Sequence, residues 1–163
     1  MIIDTSTWDR ENDREWKIAP AGLDWIKKGN HLRVGSDVSI EKGVTIGNHV
    51  TILSGAELRQ DAIIRNRSFI EENVTIGRSV DIGEFCVIRR NTIIGKRAIM
   101  DTSVKIGENC LIDPDVVIGS SSTLGHGVYV NQYSFIGNYA SIGDNAIYAT
   151  DYRDWETDRK SVV

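Results

Sequence analysis

The side chains best suited to move a proton near neutral pH are three histidines, His31, His49 and His126. Imidazole titrates close to neutrality, and it acts as a general base when it lies within hydrogen-bond reach of the proton it takes. His126 stands between two glycines, in Leu124-Gly125-His126-Gly127-Val128. Flanking glycines would let a substrate approach closely. The competing reading is a solvated turn histidine. Zinc catalysis needs three protein ligands and an open position. No two histidines here are five or fewer residues apart, and no metal site is assigned. Cys86 and Cys110 have no histidine near them in sequence to make a nucleophile. Two cysteines in 163 residues are no disulfide framework either.

These residues sit on a repeat. From Val34 an aliphatic side chain recurs every six residues through Ile40, Ile46, Ile52 and onward to Ile136 and Ile142, 19 hexads without an insertion. Four residues after each aliphatic comes a compact side chain, such as Val38, Ala56, Ser68, Cys86 or Cys110, never larger than Val. Each hexad reads as one short strand and one corner, with the aliphatic inward and the compact residue inside the corner. A period of six rather than two means that the chain turns every six residues. Three sides close a triangle, so one coil takes 18 residues. The sequence carries its own check at one corner, in the ladder Asp37, Gly55, Asn73, Asn91, Asn109, Gly127, Asn145. These types tolerate positive φ. Opposite charges also fall 18 apart, with Arg90 between Glu72 and Glu108, and Arg89 over Glu71. The two cysteines fall on different corners. His31 and His49 share a corner, as a paired site or as two exposed turn residues, and His126 lies on another corner about four coils away.

The unit Ile-Gly-x-x-Val-x, as in Ile46-Gly47-Asn48-His49-Val50-Thr51 and Ile76-Gly77-Arg78-Ser79-Val80-Asp81, resembles the hexapeptide-repeat family. The resemblance covers residues 34–150 and implies an all-β fold, a left-handed parallel β-helix of about six triangular coils. It also implies an acyltransferase. Members typically move an acyl group from coenzyme A or acyl carrier protein to a hydroxyl or amine of a small acceptor such as a sugar. They commonly do so in a groove between subunits of a homotrimer, with a histidine as base. Gly-His-Gly-Val at His126 is similar to the segment carrying the catalytic histidine of UDP-N-acetylglucosamine acyltransferases, which makes His126 the candidate base. Acyl-coenzyme A or acyl carrier protein would be a co-substrate, with no permanently bound cofactor. The three-histidine zinc motif of the family's γ-class carbonic anhydrases is missing. The long loop that often closes over the ligands is also missing, since the hexads run unbroken. That leaves a non-catalytic structural or binding solenoid as the alternative.

Outward positions point to a covered surface. Ile93, Leu111, Tyr129 and Ile147 form one apolar column, and Ile99, Val117 and Phe135 form a second. Contiguous exposed apolar surface marks an interaction site. The cover is either a trimer neighbour, which the family favours, or a C-terminal segment.

The ends differ from the repeat. Residues 1–33 hold Trp8, Trp16 and Trp25 and read as an N-terminal cap over the first coil, with a short helix or turn from Ala21 to Lys28. Lys28 to Arg33 reads as a degenerate first hexad. Residues 151–163 form a non-repeat tail. Its end, Asp158-Arg159-Lys160-Ser161-Val162-Val163, equals one reading frame of a common sequencing adapter and is read as an artefact of assembled environmental reads. The net charge of −4 gives no basic footprint for nucleic acid. No apolar run is long enough for a membrane span, and no signal peptide is seen, so the expected location is cytoplasmic.

Overall fold

A strand in every hexad is what the computed structural model shows. It describes residues 27–149 and, ahead of them, the backbone of the short strands Ile2–Asp4, Asp9–Arg10 and Lys17–Ile18. Every one of the 19 aliphatics named from the sequence is the inward residue of a strand, and the series extends by one strand at each end, Lys27–Lys28 and Ile147–Tyr148. The strands stack into three faces. The first runs from Ser39–Glu41 to Ile147–Tyr148, the second from Lys27–Lys28 to Phe135–Ile136, and the third from Arg33–Val34 to Ser141–Ile142. Neighbours within a face are parallel and 18 residues apart, as in Ile63↔Asp81 and Ile93↔Leu111. The coil is a left-handed parallel β-helix.

Burial follows the period. Ile40, Ile52, Ile64, Ile76 and Ile88 are fully buried, and so are the corner residues Val44, Val50, Ala56, Ala62 and Val80. Cys86 and Cys110 are free and buried at different corners. Burying such an aliphatic contributes about 1.5–3 kcal/mol before chain entropy is subtracted. Where the corner residue is polar, its hydroxyl is used. Thr92 Oγ1 donates to Gly107 O at 2.9 Å and accepts from Cys110 N at 3.2 Å. Ser68 and Ser122 make the same pair of bonds. Thr92→Val keeps the shape and strands both backbone groups. We expect it to cost about 1–3 kcal/mol, read as a fall in Tm of about 2–4 °C per kcal/mol.

The αL ladder expected at one corner is present, from Asp37 (φ 55°) to Asn145 (φ 58°). It recurs at both other corners, where the same position holds Arg67, Phe85, Arg97, Tyr133 and Tyr139. In this conformation the residue's N–H joins the coil-to-coil ladder, as Asn91 N does on Glu72 O at 3.0 Å. The glycine after the aliphatic has a different role. A Cβ on Gly77 would stand 2.7 Å from Ile94 O, so glycine there lets coils stack closely.

The charge pairs are partly as expected. Arg90 meets Glu108 at 3.4 Å. Glu71, however, accepts the backbone N–H of Arg90 at 3.0 Å rather than facing Arg89. The reason is local. That N–H has no backbone acceptor in the next coil, and Glu41 serves Gln60 N in the same way. Ahead of the repeat the described residues are short strands. Ile2–Asp4 pairs antiparallel with Ser39–Glu41, and Lys17–Ile18 pairs antiparallel with Arg33–Val34. Lys27 and Lys28 are strand rather than the end of a helix, because the coil register claims them, with Lys28 opposite Ile46. Residues 19–26, with the rest of the expected helix, lie outside the described residues, as does the tail from 150 onward. Among the described residues no helix is long and apolar enough to cross a membrane.

Candidate active site

His126 lies at the corner between the third and first faces, exposed, between the strands Thr123–Leu124 and Tyr129–Val130. Its Nδ1 accepts the backbone N–H of Glu108 at 3.1 Å, and its own N–H donates to Asp144 Oδ1 at 2.8 Å. The ring is therefore oriented by the coil on one side while Asp144 fixes its backbone on the other. An N–H donor at Nδ1 requires a lone pair there, so the neutral ring so held carries its proton on Nε2. The equivalent hexad position at the corner between the second and third faces holds short acceptors that do the same work. Asn66 Oδ1 takes Asn48 N at 2.8 Å, and Asn138 Oδ1 takes Ser120 N at 2.8 Å. His126 thus caps a corner N–H, a role that its position two residues after Leu124 signals once Asn48, Asn66 and Asn138 are read as one set.

The glycines beside it serve the coil rather than a ligand. A Cβ on Gly125 would stand 2.7 Å from Asp144 N, and Gly127 adopts φ 64°. The clearance for substrate expected from these glycines is thus taken up by stacking and by the turn.

The first face that begins at this corner carries the column Ile93, Leu111, Tyr129, Ile147, in register. Ile93 is 49% exposed and Ile147 75%. Tyr129 leans away from His126, its hydroxyl donating to Asp113 Oδ2 at 2.7 Å, and that carboxylate raises the phenol's pKa. The second face carries Ile99, Val117 and Phe135, also in register, with Phe135 62% exposed. This column floors a groove of about 540 Å³ edged by the Arg65–Asp81 ion pair and Asp101. Hydrogen bonds from the Ser120 side chain and the Thr102 backbone N–H hold the Asp101 carboxyl below its usual range. The ridge between the two columns carries Arg97, bound to Asp115 through two hydrogen bonds, which lowers the Asp115 pKa.

His31 and His49 share a corner and stack, with ring centroids 4.6 Å apart and 13° between planes. His126 is at a different corner and meets neither. Among the described residues no group of three or more His, Cys, Asp or Glu is placed to hold a metal ion. Burial is the main reason the Cys86 thiol is pushed up to about 11, so it is a protonated core residue at neutral pH rather than a nucleophile.

With this geometry the comparisons are direct. The family profile described as "Bacterial transferase hexapeptide (six repeats)" matches residues 103–138. The profile "Hexapeptide repeat of succinyl-transferase" matches residues 37–66 and 80–119. The chain carries the hexapeptide repeat that both profiles describe. Its β-helix is similar to that of a UDP-N-acetylglucosamine acyltransferase from Bacteroides fragilis, at 18% identity and TM-score 0.72, covering 78% of this chain and 64% of that one. An N-acyltransferase from Bacillus cereus, solved with dTDP and 3-hydroxybutyryl-CoA, is 20% identical with TM-score 0.66, covering 81% and 87%. A UDP-N-acetylglucosamine acyltransferase from Campylobacter jejuni is 17% identical with TM-score 0.55, covering 78% and 64%. The hexapeptide-repeat chain thus spans just under two thirds of the two UDP-N-acetylglucosamine enzymes. No curated protein sequence matches it.

Proposed function

We propose that this hexapeptide-repeat protein transfers an acyl group from acyl-coenzyme A or acyl carrier protein to a hydroxyl or amine of a small acceptor. The observation that carries the reading is an exposed imidazole at a coil corner beside an uncovered apolar column, on a β-helix similar to those of solved acyltransferases. The working unit is a homotrimer whose neighbours cover the two columns, and the donor's pantetheine arm lies along the groove so formed. His126 is the base. It takes the acceptor's proton as the acceptor oxygen or nitrogen attacks the thioester carbon, and the donor leaves as a thiolate. Binding the acceptor must first release the His126 lone pair from the Glu108 N–H, either by turning the ring or by exchanging the tautomer.

The second reading, a non-catalytic solenoid, is favoured by one observation. The coil runs from Val34 to Ile147 without any loop that could close over a ligand. A thiol-release assay separates the two. Acetyl- and longer acyl-coenzyme A would be offered with amino sugars and sugar alcohols as acceptors. Acyl transfer predicts coenzyme A release that depends on the acceptor. Buried, protonated Cys86 gives little background in such an assay. A folded protein that releases no thiol with any donor and acceptor pair supports the solenoid.

A further inference from the structure

The corner between the second and third faces differs from the His126 corner in the side chains that it places at positive φ. At the His126 corner the αL position is filled by Asp37, Gly55, Asn73, Asn91, Asn109, Gly127 and Asn145, residues suited to positive φ. At the second–third corner four consecutive coils place there His31 (φ 56°), His49 (φ 57°), Arg67 (φ 57°) and Phe85 (φ 58°). Positive φ here is set by the coil, and Arg97 and Tyr133 adopt it at the first–second corner too, but on coils that are not adjacent; what distinguishes these four is that they fall on consecutive coils. These four form two stacked pairs along one corner of the solenoid. The imidazoles of His31 and His49 lie face to face, and the Arg67 guanidinium carbon sits 5.5 Å from the centre of the Phe85 ring. All four are exposed.

Arg59, Arg65, Arg90 and Arg97 are spent on carboxylates. The Arg67 guanidinium has no carboxylate partner among the described residues and lies against Phe85 instead. Together with Asn48 and Asn66 the two pairs line a groove of about 470 Å³. The groove has one lining carboxylate, Glu84, and Asn66 Nδ2 holds it at 2.7 Å.

We propose that this strip is a second ligand site, separate from the His126 corner, and that it takes a diphosphate group. Rungs of the coil are about 4.8 Å apart, so donors on adjacent rungs reach the oxygens of one phosphate and three rungs reach two. Arg67 supplies the fixed charge and a planar fork that matches phosphate oxygens. Its place in the row disfavours a metal cation on the two imidazoles. Phe85 is 44% exposed, so part of its ring is open to a second flat ring. The diphosphate is therefore either free or carried by a nucleoside.

Calorimetric titration of the full chain with inorganic diphosphate, ADP, sulfate and zinc at matched ionic strength tests this. The variants are His49→Asn, Arg67→Asn and Phe85→Asn, chosen because asparagine suits the αL turn and keeps the fold, with Tm measured for each. The expected result is saturable diphosphate binding, at least about tenfold tighter than sulfate, weakened about tenfold or more in Arg67→Asn and in His49→Asn, with no fall in Tm. ADP binding tighter than diphosphate, with the advantage lost in Phe85→Asn, identifies a nucleoside carrier. Equal affinity identifies the free ion. The proposal is overturned if diphosphate does not saturate, if sulfate binds as well, if both donor variants bind unchanged, or if zinc binds where diphosphate does not.

Discussion

His126→Asn is expected to lower kcat by about 10²–10⁴-fold, the usual contribution of a general base, and to leave thermal stability close to that of the parent. The asparagine replaces what the imidazole does for the coil, because Asn66 and Asn138 accept the corner N–H from the equivalent hexad position of another corner. An amide cannot take the proton that the proposed base would take. His126→Ala loses both functions. Its turnover falls to the same extent, and the stranded Glu108 N–H costs about 1 kcal/mol in addition. Comparing the two variants separates chemistry from capping. If His126→Asn turned over as fast as the parent, the histidine would be a corner cap and the base would lie elsewhere.

Neighbouring isoleucines give the second large effect. Ile94 points into the coil and is 1% exposed, whereas Ile93 points out and is 49% exposed. Ile94→Ala should destabilise by about 2–5 kcal/mol, transfer and cavity together. That is a large share of the roughly 5–15 kcal/mol that holds a domain folded. Ile93→Ala should change the stability of the isolated chain by less than about 0.5 kcal/mol. Its effect is expected in assembly, seen by light scattering as a shift from trimer toward monomer. Denaturant unfolding of both variants checks the first half. A larger loss from Ile93→Ala than from Ile94→Ala would mean that the face assignment is off by one residue.

Much of the coil was legible because its signals are periodic and redundant. Aliphatics, compact corner residues and the Asp/Gly/Asn ladder each give the same 18-residue turn, so an error in one would clash with the others. The αL turns holding Arg67, Phe85 and Tyr139 were not legible, since nothing in those residue types asks for positive φ. The coil imposes it through the ladder bond of the backbone N–H. In the sequence Lys28 fits both a hexad and the end of a helix. The parallel pairing with Ile46 decides for the hexad, because a strand edge offers backbone bonds that an isolated eight-residue helix cannot match.

The His126 corner was legible in position and not in role. A histidine between glycines looks like an opening for substrate. The glycines are instead required by the Asp144 backbone and by the turn, and Nδ1 is engaged by Glu108. That engagement depends on the coil 18 residues earlier, which a short motif does not contain.

Binding of acetyl-coenzyme A and free coenzyme A, followed by thermal shift on material sized by light scattering, tests acyl transfer most directly. At 100 times the dissociation constant the ligand should stabilise the native state by about 2.7 kcal/mol. The account predicts a saturable rise in Tm in a trimeric fraction, with His126→Asn still binding the donor. A folded trimer whose Tm does not move with coenzyme A, its acyl esters or acyl carrier protein would contradict it.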